Sequence, residues 1–385
     1  MPHPDASNSV SADRNRRPGL DALRLVAALA VVAHHGLFRG PHSEWGGGVR
    51  FPGLEDVAVY GCLGVDLFFV ISGYVIAWSS EGRGATAFAR ARILRLWPGF
   101  VFCMSLTTIV LALVHNSSFP VSGPQWLANL VLVPQLFHQP FIDGAYWTIV
   151  AELTFYVWIF LAIVTRVFPR YTISLGWLWL TITVVNHVWL QSGLIKHLFL
   201  TNFSGEFLGG VLLFRMARHR SDVATLALLA ASVATSIWFG SVSEIRDFQL
   251  GLGYAMDPLV MRVITLSAFG LVAAASQIRV NGRAANIVFI AGGLTYPTYL
   301  LHQNIEYVLA PKLIALGVSP LLAFLSVAAG VLIIAFFIFR CIEPIGKAWL
   351  ARPIDAALRL AASVPRPSLS RDRLEYGVFR GGPPP

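Results

Sequence analysis

Two ionisable residues in the first apolar run are spaced to share one face of a helix. Arg24 and His35 are eleven residues apart, which is about 20° of rotation after three turns. Asp21 lies on nearly the same stripe, whereas His34 is rotated by roughly 80° from Arg24. A histidine deep in an apolar helix is costly and usually functional, and an imidazole can act as a general base. His35 is therefore the first candidate catalytic residue.

Two carboxylates also lie inside apolar runs. Asp66 is near the middle of the second run, and Glu152 is a turn and a half beyond Trp147 in a later one. A carboxylate in such a helix needs a partner, and by accepting a hydrogen bond from an imidazole it would fix the tautomer and raise the basicity of the ring. Asp66 and Glu152 are predicted to support His35, although a purely structural ion pair remains the alternative for Asp66.

Basic residues cluster between the second and third apolar runs. Arg92 and Arg95 are three positions apart, so on a helix they point the same way and could hold phosphate oxygens with bidentate hydrogen bonds. The alternative is that they only set membrane orientation, because cytoplasmic loops are rich in Lys and Arg. Arg24 has a similar alternative, since an arginine near a helix start can extend its charge to the interface.

Metal, nucleotide-loop and nucleophile motifs are missing from the sequence. His302 and Glu306 are four residues apart on one face, but the full His-Glu-x-x-His arrangement of a zinc site does not occur, so no metal is predicted. The chain has no Gly-x-Ser-x-Gly turn and no Cys-x-x-Cys pair. Its three cysteines are far apart within apolar runs and are interpreted as buried small hydrophobes.

The elements that must position these residues are membrane-spanning helices. Of the 385 residues, 56% are hydrophobic and 13% charged, whereas a soluble domain carries roughly 25% charged residues. Soluble and disordered classes are therefore excluded, and an all-α polytopic membrane protein is predicted. The apolar stretches long enough to span lie at 20–38, 58–78, 97–115, 145–166, 171–190, 197–214, 222–240, 258–277, 286–309 and 320–342.

The basic residues predict the orientation of these ten spans. With the amino terminus inside, 22 of the 29 basic residues fall in cytoplasmic segments, as the positive-inside rule requires. Both termini are thus predicted to be cytoplasmic, and the net charge of +9 needs no nucleic-acid partner. The weaker stretch 125–137 is predicted to be re-entrant or interfacial. The predicted division is an N-terminal tail (1–18), a transmembrane domain (19–345) and a C-terminal tail (346–385).

Taken together, these segments resemble the acyltransferase-three family of integral membrane O-acyltransferases. The similarity covers about residues 18–350 in the family's order, and Arg24 with His35 is its most specific part. Departures are Leu25, where many relatives have Gly, and the extra His34. The matching residues are Leu20, Asp21, Arg24, His35, Gly64 to Tyr74, Arg92, Arg95, Pro98, Trp147, Thr148, Glu152, Tyr156, Tyr296, Tyr299, His302, Glu343 and Pro344.

The resemblance implies a multi-pass enzyme of the bacterial inner membrane. It would transfer an acyl group, expected to be acetyl, from acyl-CoA on the cytoplasmic side to a hydroxyl of a saccharide or glycan, such as a surface polysaccharide, lipopolysaccharide or exopolysaccharide. Acyl-CoA would be a substrate and no cofactor would be permanently bound. The expected roles are catalysis by His35, Asp66 and Glu152, donor binding by Arg24, Arg92 and Arg95, and acceptor binding by Trp147, Tyr299, His302 and Glu306.

A transporter or flippase of a lipid-linked glycan is the alternative, because the same polar residues could line a path across the membrane. The predicted outer loops 39–57 and 116–144 are rich in Gly, Pro, Trp, His and Asp with little net charge. This composition suits a neutral or lipid-linked saccharide. The partners expected from sequence are therefore acyl-CoA, such an acceptor and the lipid bilayer.

Overall fold

The structure, a computed structural model, describes residues 17–43, 48–218, 221–240, 251 and 253–363. Within these ranges the chain forms helices and turns, and no β-strand. The longer helices are α1 (Pro18–Ala33), α2 (Gly64–Ser80), α3 (Ala85–Val114), α4 (Trp147–Val164), α5 (Thr172–Val185), α6 (Ser204–Arg218), α7 (Val223–Thr235), α8 (Pro258–Gln277), α9 (Gly282–Ala315), α10 (Pro320–Phe337) and α11 (Glu343–Ser363).

Short helical turns extend or connect these helices. Four π-helical turns continue α1, α5, α7 and α10 at His34–Arg39, Asn186–Leu190, Ser236–Gly240 and Ile338–Ile342. Such turns inside α-helices are frequent at functional sites, and the first of them carries His35. The remaining short segments are Glu55–Ala58, Val59–Leu63, Gly123–Asn129, Pro134–Phe137, Gly144–Tyr146 and Gly193–Leu198.

Nine helical segments in the described ranges are long and apolar enough to cross a membrane. This confirms the predicted all-α polytopic class. The predicted span 197–214 overlaps the shorter helix α6, whose 15 residues extend about 22 Å, against roughly 30 Å of bilayer hydrocarbon. Before α6 the backbone turns, and the indoles of Trp158 and Trp179 donate hydrogen bonds to the carbonyls of Leu198 (2.7 Å) and Phe199 (2.6 Å). These bonds satisfy carbonyls that the interrupted helix leaves unpaired.

Helix α6 lies at the centre of the protein because small residues allow close contact with α2. A Cβ atom at Gly73 would lie 2.0 Å from the carbonyl oxygen of Phe207, and one at Gly210 would lie 2.1 Å from that of Val70. Glycine is therefore required at both positions. The α6 side chains from Ser204 to Phe214 are all buried. Small residues at 61, 64, 72 and 73 in the sequence predict close helix approach, and the contact at Gly73 confirms it.

The same small-residue packing joins α2 to α1. A Cβ atom at Gly61 would lie 2.1 Å from the carbonyl oxygen of Ala30, and one at Gly64 would lie 2.6 Å from that of Ala27. Helix α1 also packs against α8 and α9. Helix α1, which carries Arg24, is thus in contact with three helices.

Two helices are longer than predicted. Helix α3 begins at Ala85 rather than at residue 97, so Arg92 and Arg95 lie within its first half and not in a loop. Helix α9 has 34 residues, about 51 Å in length, and contains Pro297 and Pro311. Both exceed the hydrocarbon thickness and extend beyond it on at least one side.

Three further predictions concern the stretch 125–137, the boundary at residue 345 and the two tails. Stretch 125–137 forms only short helical turns, in keeping with a segment that does not span. The predicted boundary at 345 falls inside α11, where Arg90 of α3 pairs with Asp355 at 2.5 and 2.8 Å. Residues 1–16 and 364–385, which make up most of the two predicted tails, lie outside the described residues.

Candidate active site

Residues from five helices, α1, α2, α3, α4 and α9, meet around a cavity of about 80 Å³ that we call the arginine cavity. It is bordered by two guanidinium groups, one carboxylate and several hydroxyl groups, with apolar side chains between them. Its polar lining residues are Arg24, Ser72, Arg95, Thr148, Glu152, Thr295, Tyr296 and Tyr299. Two of the three predicted donor-binding arginines, Arg24 and Arg95, therefore share one site with the predicted catalytic Glu152.

Glu152 is held by hydroxyl groups on two sides. Ser72 donates a hydrogen bond to its Oε1 atom at 3.1 Å, and Tyr156, one turn further along α4, donates to the same oxygen. The carboxylate is also close enough to Arg24 and Arg95 to interact with both electrostatically. Glu152 thus balances the positive charge of the cavity and is not in contact with His35.

Arg92 adjoins this cavity and packs against aromatic rings. Its guanidinium lies 5.7 Å from the ring centres of Phe88 and Tyr156. Its Nε atom is buried and has no hydrogen-bond partner among the described residues. Arg24 is partly neutralised by Asp21, with 3.3 Å between Nη1 and Oδ1. The cluster therefore contains three arginines, and guanidinium N–H groups in it remain available to bind an anion.

The adjacent imidazoles of His34 and His35 have different partners. His34 is buried, and its Nδ1 atom lies 3.0 Å from the carbonyl of Val59 and 3.2 Å from that of Ala58. Because a carbonyl can only accept, His34 carries a proton on Nδ1 and ties α1 to the turn before α2. His35 instead lies 2.6 Å from the hydroxyl of Tyr307 and faces a cavity.

This second cavity, the histidine cavity, has a volume of about 40 Å³ and is lined by His35, Glu306 and Tyr307 together with apolar residues. Glu306 is 2% exposed, and neither of its carboxylate oxygens has a hydrogen-bond partner in the described part of the chain. Gly36 faces it, since a Cβ atom there would lie 3.1 Å from Oε2. A buried charged carboxylate without a partner is energetically costly. The Glu306 carboxyl group is therefore expected to bind a proton or a ligand.

His302 and Tyr299 connect the two cavities. The ring centre of His302 lies 5.0 Å from that of His35 and 5.4 Å from that of Tyr299, which borders the arginine cavity. His302 donates from Nδ1 to its own helix at the carbonyl of Tyr299 (2.8 Å), which leaves Nε2 as a buried acceptor without a partner among the described residues. A line of polar side chains therefore runs from Arg95 to His35 through the protein.

Asp66 and Trp147 lie away from this line. Asp66 is buried in α2, and Thr265 of α8 donates to its Oδ2 atom at 3.4 Å. Thr265 is thus one hydrogen-bond partner of Asp66, and the hydrogen bond predicted between Asp66 and His35 stays a prediction. Trp147 is 40% exposed and stacks on Phe203 with ring centres 5.6 Å apart. It faces a separate, wider cavity.

Two site residues were missed by sequence reasoning. Tyr307 contacts His35 although it is 272 positions away, a pairing that no local spacing marks. Asp143 is buried and accepts hydrogen bonds from the backbone amides of Ala145 (2.8 Å) and Asn304 (2.9 Å), so it joins the start of α4 to α9. Burial raises the pKa of the Asp143 carboxyl to about 7. An Asp-Gly-Ala stretch before an apolar helix is the capping signal that could have identified it.

Comparison with known proteins identifies relatives of this chain among acyltransferases. The chain is 27% identical over 150 residues to Acyltransferase MdmB of Streptomyces mycarofaciens, an alignment that covers 37% of this chain and 38% of that relative. The chain thus matches well under half the length of this curated relative. No solved structure matches. The model of the family described as Acyltransferase domain (Acyl_transf_3) matches residues 17–340, more than half of the chain. The chain therefore belongs to this family of acyltransferases.

Proposed function

We propose that this acyltransferase moves an acyl group, expected to be acetyl, from acyl-CoA on the cytoplasmic side to a hydroxyl of a saccharide on the outer side of the bacterial inner membrane. The observation that supports this is the polar line from Arg24 and Arg95 through His302 to His35. Anion-binding groups lie at one end of the line and a candidate base lies at the other.

The arginine cavity suits the donor. Coenzyme A carries phosphates, and guanidinium groups bind phosphate oxygens with strong charge-assisted hydrogen bonds. Arg92 and Arg95 lie one turn apart in the extension of α3 that sequence analysis placed in the cytoplasm. In this arrangement the phosphates stay at the arginines, and the thioester arm extends along the polar line toward the histidines.

His35 suits the chemical step. The acceptor oxygen attacks the thioester carbonyl carbon, the C–S bond breaks, and coenzyme A leaves as a thiol. His35 takes the proton from the acceptor hydroxyl and returns it to the departing sulfur, so the protein ends the reaction unchanged. Nδ1 of His35 lies 2.6 Å from the oxygen of Tyr307, and in the tautomer that donates this hydrogen bond Nε2 carries the lone pair that acts as the base. A transient acyl group on His35 is the other way in which the ring could serve.

Transfer of label tests this proposal against the flippase alternative. Purified full-length protein in detergent is incubated with radiolabelled acetyl-CoA and candidate saccharides, and the saccharide is isolated. We expect label on the saccharide in proportion to protein, and release of an equal amount of free thiol. Movement of a lipid-linked saccharide between leaflets of reconstituted vesicles, with neither label transfer nor thiol release, would contradict the proposed reaction.

A further inference from the structure

A third cavity of about 880 Å³, the wide cavity, lies beside α4 at the end of α1 that carries the histidines. Its volume falls in the range of roughly 300–1,000 Å³ that is common for small-molecule sites. The proposed reaction does not by itself assign a ligand to it. The wide cavity is lined by Arg39, Val133, Gln135, Phe141, Trp147, Val150, Ala151, Thr154, Lys196, His197, Leu200, Asn202, Phe203 and Gly251.

The described residues of this lining are positively charged or neutral. Arg39 follows His35 by one turn, and Lys196 and His197 come from the short helix Gly193–Leu198, far away in the sequence. Among the described residues neither Arg39 nor Lys196 has an ion-pair partner, and the cavity lining includes no carboxylate. Two cations that line one cavity, neither with an ion-pair partner in the described part of the chain, favour an anion between them.

The rest of the lining suits a sugar. Trp147 is 40% exposed, and its indole offers an amphipathic surface on which a sugar ring can pack. Gln135, Thr154 and Asn202 border the same space and offer side-chain groups that can bond to hydroxyls.

The wide cavity also adjoins both parts of the proposed active site. Trp147 and Phe203 contact Phe69, at ring-centre distances of 6.3 and 4.8 Å, and Phe69 lines the arginine cavity. Arg39 is close enough to His35 to act on it electrostatically. A molecule bound in the wide cavity is therefore separated from the donor site by a layer of aromatic rings and is near the candidate base.

We infer that the wide cavity binds an acidic saccharide as the acceptor, with its carboxylate or phosphate between Arg39 and Lys196 and its ring on Trp147. This inference deepens the proposed function. The role of the saccharide as acceptor rests on the proposed function, whereas the binding of an acidic saccharide does not depend on it. The inference also replaces the neutral sugar suggested by loop composition, because the fold brings together two cations that are 157 positions apart in the sequence.

Binding of matched saccharide pairs to the full-length protein in nanodiscs tests the inference. The probes are methyl glucuronide against methyl glucoside, and glucose 1-phosphate against glucose, measured by equilibrium titration. Hydrogen bonds to charged groups are the stronger ones, so we expect at least one acidic member to bind about tenfold or more tightly than its neutral partner. The preference should decrease as salt is raised.

Charge-removing variants locate the site. Arg39→Gln and Lys196→Gln should each reduce the preference for the acidic probe by about fivefold or more, whereas Lys312→Gln, which removes an exposed cation outside the cavity lining, should leave it unchanged. Tighter binding of only glucose 1-phosphate would indicate a phosphate-linked acceptor, and tighter binding of only the glucuronide would indicate a uronic acid.

Equal binding of acidic and neutral probes, or a preference that survives both cavity variants, would overturn the inference. Failure of the proposed function would be seen separately. In that case the acidic preference and its dependence on Lys196 persist in the binding assay while no label moves from acetyl-CoA to any saccharide. Efficient acyl transfer to neutral and acidic saccharides alike would instead leave the reaction intact and refute the acidic acceptor.

Discussion

Replacing His35 with alanine is expected to lower the rate of acyl transfer by about 10²- to 10⁴-fold, the usual contribution of a general base. The side chain lines the histidine cavity, and the acceptor hydroxyl would lose the group that removes its proton. Binding of acyl-CoA should remain unchanged, because the arginine cavity does not include His35. The measurement is the initial rate of label transfer by purified variants, with donor affinity measured separately.

His34→Ala is the matched control for this prediction. His34 bonds to the carbonyls of Ala58 and Val59, and loss of that contact should reduce stability by about 1–3 kcal/mol while much of the activity remains. The melting temperature of each variant separates the two effects. If His34→Ala and His35→Ala lost activity equally at equal amounts of folded protein, the assignment of the base to His35 would be wrong.

The second large effect concerns the donor. The double variant Arg92→Ala, Arg95→Ala is expected to bind acyl-CoA about 10- to 100-fold more weakly, because charge-assisted bonds to phosphate are lost. Acceptor affinity should change little. Titration of the purified protein with a non-hydrolysable acyl-CoA analogue measures the change.

Two further variants keep this result interpretable. Arg90→Ala removes a neighbouring arginine of α3 that pairs with Asp355 instead of facing the cavity, so donor affinity should be retained. Arg95→Lys keeps the positive charge beside Glu152 but removes the bidentate geometry, so the protein should fold and still bind the donor more weakly. Unchanged donor affinity in the double alanine variant would show that Arg92 and Arg95 only orient the protein in the membrane.

Local spacing was sufficient to predict much of the architecture. The small residues at 61, 64 and 73 permit the close helix contacts that their positions indicate. The α-helical period places His302 and Glu306 on one side of α9, where both are buried. These features depend on the geometry of a single helix, which one sequence specifies well.

Features that depend on how distant helices pack against each other could not be predicted from local spacing. The contact of His35 with Tyr307 and the convergence of Arg39 with Lys196 require a particular packing of α1 against elements far along the chain. Asp66 is a further example, since a mid-span carboxylate needs a partner but nothing in the sequence indicates that Thr265 is one.

The interruption before α6 also depends on distant residues. An apolar run of ordinary composition predicts a full span over 197–214, but indole donors from Trp158 and Trp179 make a turn at Leu198 and Phe199 tolerable. Because those donors come from α4 and α5, hydropathy alone cannot indicate that the helix starts only at Ser204.

The proposed reaction carries the acyl group across the membrane within the protein, so transfer should occur between substrates that are held in separate compartments. Protein is reconstituted into sealed vesicles, and its orientation is determined with an impermeant reagent at cysteines introduced for Arg83 and Ser118, on opposite predicted sides. Labelled acetyl-CoA is supplied on the side of residue 83 and the saccharide on the side of residue 118. We predict labelled saccharide in this arrangement and none when the compartments are exchanged. Transfer only when both substrates share one compartment would contradict passage of the acyl group across the membrane and would show that donor and acceptor bind on the same side.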